Sequence, residues 1–312
     1  IDGSGVIYLA YVDVANSNKA NVVKYTGSSW VNVGTVGLSV GTASFVALKL
    51  DASGTPYIVY RDGASSAKAT VQKYTGSSWI VVGTAGFTAG GAKYLSLAID
   101  PSGNPAIAYS DSLNANKATC MSFNGSSWSI TGAAGFSSNP VGITDLEIDA
   151  SGNYYLAYNN IFGSNNKIVV RKYSGSSWTD MGLISGGNVM GFWYLSMAIN
   201  GSGLPMVLFN DVIQGNTLNA FSYNGAMWDN IGCPGVSSVS TRDNCIAIDP
   251  VSGQPYVSYQ DISNGNKLSV VRYTGSTWVN VGPPGFTSGS IYWNTHIAFN
   301  PATNEPWVAY TT

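Results

Sequence analysis

The sequence has few charged residues, and their scarcity excludes two broad classes of protein. Only 10% of the 312 residues are charged, and 14 Lys and Arg stand against 16 Asp and Glu, for a net charge of −2. Disordered chains carry more charge than this, and chains that bind nucleic acids carry an excess of positive charge. We therefore expect a folded chain with no nucleic-acid partner.

Long apolar runs are missing as well. No run approaches the roughly 18 apolar residues of a membrane span, and residues 1–5 contain neither the basic nor the apolar segment of a signal peptide. The chain is therefore expected to have no membrane span and to be a mature or trimmed part of a longer protein.

Cysteine is scarce, since three residues are too few for a disulfide scaffold. Cys233 and Cys245 flank a loop rich in Pro, Gly and Ser, which a disulfide between them would close. That bridge would indicate an oxidising compartment. Cys120 lies in a strand-like run and is expected to be a small buried hydrophobe.

The sequence is rich in internal repetition. The motif Tyr/Phe-x-Gly-Ser-x-Trp ends at tryptophans that are 49 or 50 residues apart, namely Trp30, Trp79, Trp128, Trp178, Trp228 and Trp278. A second motif, Ile-Asp-x-Ser-Gly-x-Pro-Tyr-x-x-Tyr, recurs from residues 1–11 to residues 299–310. Each repeat contains four apolar or alternating runs bounded by turn residues, which we name strands a to d, as in 95–99, 56–60, 69–74 and 78–82.

Four-stranded meanders repeated at this period predict a β-propeller, an all-β fold of antiparallel blades, as a single domain over residues 1–312. Strand d occurs six times, whereas strand b occurs seven times. We favour seven blades, with the missing strands in a segment upstream of Ile1. The alternative is six blades with a surplus hairpin.

The repeat at residues 97–105, followed by 116–119 and 124–128, resembles tandem propeller repeats of large secreted or cell-surface bacterial proteins. The resemblance covers nearly the whole chain and implies the architecture, but no activity. The Gly-Ser-Ser-Trp turn between strands c and d is also similar in position to the Asp-box of sialidase-like propellers. The box aspartate is absent here, so this similarity implies a hairpin and not an enzyme.

Binding residues are expected where the repeats differ, on the face that carries the b–c loops and the loops between blades. Matched positions before strand a hold aromatic and polar side chains that would suit a carbohydrate or a peptide at the mouth of a central channel. These residues are Phe45, Lys93, Tyr94, Trp193, Tyr194, Arg242, Asp243, Trp293 and Asn294. The alternative is that the aromatic residues are wedged between blades.

Other polar residues of the repeats have simpler explanations. Four b–c loops run from an Asp to a Lys, with residues 160–167 and 211–217 as exceptions, and we interpret the two residues as a hairpin-closing pair rather than the Asp as a calcium ligand. Strand a carries Lys49, Asp145, Glu147 and His296, which should face a water-filled channel unless they form a catalytic or metal cluster.

Counting the reactive residues argues against an enzyme. Glu147 and Glu305 are the only glutamates, and His296 is the only histidine. Asp145 and Glu147 would be the one candidate pair for a glycosidase, and no further residue supports that role. We predict no cofactor and no metal.

The combined interpretation is a non-enzymatic, extracellular or cell-surface module that binds a glycan or a protein surface. Two alternatives stay open, namely a structural module in a surface layer, filament or adhesin, and a glycan hydrolase whose site has no recognisable motif. The structural alternative would make other chains of a surface assembly its partners.

Overall fold

A computed structural model describes residues 1–161, 166–184, 195–211, 215–232, 235–237, 240–292 and 294–312. The chain divides into two compact units. The first comprises Ile1–Tyr154 and Tyr173–Trp178, and the second comprises Tyr155–Lys172 and Thr179–Thr312. Apart from three 3-10 turns, every regular element in the described ranges is a β-strand. Within these ranges no helix has the length and apolarity needed to cross a membrane.

Within the described ranges, strands that follow one another along the chain form seven sheets, and the six that contain strands c and d we call blades 1 to 6. Blade 1 has β1 (Ile7–Asp13), β2 (Lys19–Tyr25) and β3 (Trp30–Asn32). Blade 2 has β4 (Ala43–Leu50), β5 (Pro56–Asp62), β6 (Lys68–Tyr74) and β7 (Trp79–Val81). Blade 3 has β8 (Ala92–Ile99), β9 (Pro105–Asp111), β10 (Lys117–Phe123) and β11 (Trp128–Ile130).

The later blades repeat the pattern. Blade 4 has β12 (Val141–Ile148), β13 (Tyr154–Asn160), β14 (Lys167–Tyr173) and β15 (Trp178–Asp180). Blade 5 has β16 (Leu195–Ile199), β17 (Pro205–Asp211), β18 (Thr217–Tyr223) and β19 (Trp228–Asn230). Blade 6 has β20 (Thr241–Ile248), β21 (Pro255–Asp261), β22 (Lys267–Tyr273) and β23 (Trp278–Asn280). The last two strands, β24 (His296–Phe299) and β25 (Pro306–Ala309), form a two-stranded hairpin.

The prediction of seven blades is wrong, and six is the correct number. Six sheets contain strands c and d, and one of them, blade 1, has three strands because β1 corresponds to strand b. The seventh copy of strand b, β25, pairs only with β24, the sixth copy of strand a, and the two form a hairpin. An a–b hairpin is closed by its own turn, so its sequence motif reports two paired strands and not a complete blade.

The a–b turns have the predicted chemistry. In blade 2 the carboxylate oxygen Oδ1 of Asp51 accepts hydrogen bonds from the backbone N–H groups of Ser53 and Thr55, both at 2.9 Å. Gly54 follows with φ of +80°, a backbone conformation that side chains with a Cβ disfavour. The side chain therefore closes the turn locally, and the same bonds recur at Asp100 and Asp149.

The tryptophan that opens strand d joins each blade to the one before it. Trp128 donates a hydrogen bond of 2.8 Å from Nε1 to the carbonyl of Val82 in the preceding blade. The same bond is made by the other tryptophans of blades 2 to 6, namely Trp79 to Val33, Trp178 to Thr131, Trp228 to Met181 and Trp278 to Ile231. Trp30 of blade 1 differs, because it is 50% exposed and no described residue accepts a hydrogen bond from it.

The aspartate of the b–c loop is a cap and not half of an ion pair. Asp62 accepts hydrogen bonds from the N–H of Ala64, the hydroxyl of Ser65 and the buried hydroxyl of Thr70, at 2.8 to 3.0 Å. Lys68 lies opposite Asp62 in the strand register but forms no ion pair with it. The interpretation as an Asp–Lys pair is therefore wrong for this loop, whose Asp caps a 3-10 turn.

Candidate functional site

Strand a contains a β-bulge near its first residues. The pairing between strands a and b shifts at Ser44–Ala47 in blade 2, at Lys93–Ser96 in blade 3 and at Arg242–Cys245 in blade 6. A bulge adds one residue to one strand and redirects the side chains beside it. In blade 2 the bulge lies beside the b–c loop, because Ala43 pairs with Asp62.

The residue inside each bulge has a left-handed backbone. The φ angle is +52° at Phe45, +51° at Tyr94 and +44° at Asp243, and it is +57° at Asn294, which holds the same position of its repeat. Phe and Tyr rarely adopt this conformation, whereas Asp and Asn adopt it more readily. Strain of this kind costs about 1–3 kcal/mol per residue and is concentrated at functional sites. All four residues belong to the set predicted to bind a ligand.

Bulge residues of neighbouring repeats contact each other. The rings of Phe45 and Tyr94 meet edge to face, with centroids 5.0 Å apart. In the second unit, the backbone N–H of Asn294 donates to the carboxylate of Asp243. Burial raises the pKa of that carboxyl against the opposing effects of this bond and of Arg242. The structure thus brings two pairs of the predicted residues together.

The two predicted cations lie beside these pairs. Lys93 and Arg242 each precede a bulge residue, and both are exposed. Phe45 is partly buried against the core between blades 2 and 3. Part of its ring is therefore wedged between blades, as the alternative interpretation expects.

Four predicted residues lie outside the described ranges. They are Trp193, Tyr194, Trp293 and Cys233. Their proposed roles at the site, and the disulfide between Cys233 and Cys245, stay predictions.

Two of the charges on strand a, Lys49 and Glu147, form an ion pair while staying partly exposed to water. Lys49 Nζ lies 2.7 Å from Glu147 Oε1, although the two residues are two blades apart. Both stand two residues before a turn Asp, and the residue at that position in the blade between them is Ala98. The small Ala98 side chain leaves room for the longer ones to meet. Glu147, one member of the candidate glycosidase pair, is therefore held by a cation.

Sequence reasoning missed a second cluster. Cys245, which we had paired only with Cys233, has its sulfur 3.9 Å from Ser196 Oγ and forms a hydrogen bond with the His296 side chain. Burial works to raise the pKa of this thiol, but the bonds from His296, Ser196 and the N–H of Ile297, with the charge of His296, lower it below its usual value. The signal was available, because Ser196, Cys245 and His296 each lie four residues before the Asx of an a–b turn.

Metal ligands do not gather elsewhere in the part of the chain that the structure describes, where no three His, Cys, Asp or Glu side chains come together.

Comparison with known proteins identifies the fold. No protein-family model matches the chain, and no curated protein sequence matches it. A lectin from Burkholderia pseudomallei is similar in structure, with a TM-score of 0.67 and 14% identity, over 99% of this chain and 89% of the lectin. The fucose-recognising lectin of Aleuria aurantia, described as a six-bladed β-propeller, has a TM-score of 0.56 and 15% identity over 86% of this chain and 95% of its own. An ulvan lyase, a polysaccharide lyase, has a TM-score of 0.60 and 13% identity over 90% of this chain and 79% of its own. At these identities the likeness shows a β-propeller fold and no more.

Proposed function

We propose that this chain is a non-enzymatic module that binds a glycan at the bulge residues of strand a. The observation that carries the proposal is the strained backbone of Phe45 and Tyr94, whose aromatic rings are held together where two blades meet. Phe and Tyr gain nothing in a hydrophobic core from a left-handed backbone, so the strain favours a role in contact with a ligand.

A sugar suits this arrangement better than other small ligands. Aromatic rings stack on the apolar faces of sugar rings, while neighbouring polar groups bind the hydroxyls. Lys93 supplies such a group beside Tyr94, and Asp243 with Asn294 supplies polar groups at the corresponding position of the second unit. Two of the similar solved structures are lectins, which supports the choice of ligand.

The non-enzymatic part of the proposal rests on Glu147. One of its carboxylate oxygens is 2.7 Å from the Lys49 ammonium, so an ion pair already occupies it. A lyase among the similar folds makes the test worthwhile. Cleavage of a glycosidic bond, by hydrolysis or by elimination, creates a new end in the polysaccharide, so chromatography of incubated glycans detects either reaction. Catalytic turnover by the wild type would refute this part, and its loss in Glu147→Gln would show that the activity depends on Glu147.

Binding is tested on a glycan array with the wild type, Tyr94→Ala and a matched control, Trp30→Ala. Trp30 is exposed like a surface ligand contact but follows the c–d turn, at the opposite end of its blade from the b–c loop. We expect Tyr94→Ala to weaken glycan binding at least tenfold and Trp30→Ala to leave it unchanged. Absence of binding to any glycan by the wild type would refute the proposal, and loss of binding in Trp30→Ala alone would move the site elsewhere.

A further inference from the structure

Blade 2 carries a cation where the other blades carry neutral residues. Arg61 is the sixth residue of β5, and its counterparts in the described strands b include Ser110, Asn210 and Gln260. These three are buried and donate to backbone carbonyls, as Asn210 does to Thr241 at 2.9 Å. Arg61 forms no hydrogen bond or ion pair in the described residues, and its Nε is buried without a partner.

The strand pattern places the Arg61 side chain on the face of blade 2 that looks toward blade 3. Alternate residues of a regular strand share one face, and β5 pairs with β6 without interruption. Tyr57 and Val59 lie on the same face as Arg61 and pack against Leu97 of β8 in one core cluster, which Phe45 covers. Arg61 therefore continues this interface at the end where the bulges lie.

Two of the three equivalent residues indicate the direction, because Asn210 and Gln260 donate to Thr241 and Ile291 beyond their own blades, whereas Ser110 donates to Asn116 of its own blade. Asn210 reaches Thr241 and Asn244 in the first residues of the next strand a, and these correspond to Ala92 and Leu95 of β8. Arg61 is thus directed toward the segment that contains Lys93 and Tyr94.

Arg61 and Lys93 lie at this end of the interface between blades 2 and 3, which we call the slot, and no described acidic side chain pairs with either. Lys93 is exposed and has no ion pair or hydrogen bond among the described residues. Asp62 follows Arg61 directly, so its side chain points to the opposite face, where three donors occupy its oxygens. A partly buried charge without a partner is costly, and a ligand that supplies the opposite charge removes that cost.

We propose that the slot between blades 2 and 3 binds an acidic sugar, with its anionic group on Arg61 and Lys93 and its ring against Phe45 and Tyr94. This inference rests on the proposed function and adds the ligand class. A guanidinium group binds planar or tetrahedral oxyanions through two parallel hydrogen bonds, so it suits a carboxylate and a sulfate alike.

The test is calorimetric titration with three oligosaccharides of matched length: a glucuronate oligomer, its carboxyl-reduced neutral form and a sulfated form of that neutral oligomer. We expect the wild type to bind an acidic oligomer at least tenfold more tightly than the neutral one, with an affinity that falls as salt rises. Preference for the carboxylated or the sulfated oligomer identifies which anionic group is recognised.

The variant Arg61→Gln should abolish the preference for acidic oligomers while binding of the neutral oligomer is retained. Arg272→Gln is the matched control, because it removes the same charge from an exposed residue of strand c beside the c–d turn. Lys93→Gln, at an exposed position, tests the same slot if Arg61→Gln does not fold.

Each other outcome has a distinct meaning. Equal binding of neutral and acidic oligomers would overturn the acidic-sugar proposal and leave the proposed function standing. No binding of any of the three oligomers would overturn the acidic-sugar proposal, while the glycan array decides the proposed function separately. An equal loss in Arg272→Gln would show general charge attraction and overturn the assignment to this slot.

Discussion

Two tryptophans in the same motif should differ sharply in their contribution to stability. Trp128 and Trp30 both open strand d after a Gly-Ser-Ser turn. Trp128 donates to the carbonyl of Val82 at 2.8 Å and stacks on Phe87 with ring centroids 4.0 Å apart and planes 7° from parallel. Trp30 is 50% exposed and has neither contact. We expect Trp128→Ala to destabilise the protein far more than Trp30→Ala.

The size of the difference follows from these contacts. Both indoles share a tilted contact with an aromatic residue of strand c, at 5.5 Å for Trp128 and 5.4 Å for Trp30, so that contribution cancels. The hydrogen bond is worth about 1 kcal/mol and the stacked pair about 0.5–1.5 kcal/mol. The larger buried area of Trp128 adds to this, so the difference in unfolding free energy should be about 2–3 kcal/mol. Trp128→Phe, which removes the donor but keeps a ring, should lie between the two.

Urea denaturation followed by far-ultraviolet circular dichroism measures the comparison, because this signal does not depend on tryptophan fluorescence. The slope of each transition shows whether the variants expose the same surface area on unfolding as the wild type. Equal losses in Trp128→Ala and Trp30→Ala would contradict the reasoning, since they would show that the bond between blades contributes nothing beyond the local contact.

Three further outcomes are expected. Under reducing conditions, Cys245 should react with iodoacetamide at neutral pH, because its lowered pKa raises the thiolate fraction, and the rate should fall as the pH drops through that pKa. Cys120, whose pKa burial raises to about 12, should stay unmodified, and equal labelling of both in peptide mass maps would contradict this. Lys49→Met should cost less than about 1 kcal/mol of unfolding free energy, because the ion pair with Glu147 is partly exposed. A double variant that exchanges the two charges should recover the lost stability. A cost near 3 kcal/mol for Lys49→Met in urea melts would refute this. Asp111→Ala should cost about 1–3 kcal/mol in the same assay, because it removes three hydrogen bonds around a capped turn, and an unchanged midpoint would count against the capping role.

The sequence was sufficient to predict the strands and turns, because their determinants are local. Strands with alternating side chains on either side of an Asp-x-x-Gly turn form hairpins. In the turn from Asp51 to Gly54, the Asp51 side chain closes the turn through hydrogen bonds to residues at most four positions away. The number of blades was not predicted correctly. The motif of β24 and β25 encodes a closed hairpin, and nothing within that motif requires strands c and d beside it.

The site was predicted in part for the same reason. Departures from the repeat identified Phe45 and Tyr94, but no local signal shows that their backbones are left-handed, because neither is Gly or Asn. Arg61 gives no signal in the sequence, because it lies within a regular copy of strand b. Its lack of a partner depends on packing between blades, which neither the repeat nor the spacing contains.

The bonds between blades have a direction along the chain. Every tryptophan that makes one is the donor, and the carbonyl that accepts it belongs to the blade synthesised before it. A blade leaving the ribosome therefore finds its acceptor already made, while its own carbonyl is left ready for the next repeat. Domains form from the N-terminus during synthesis, and this fold can extend by docking one repeat at a time in the order of translation.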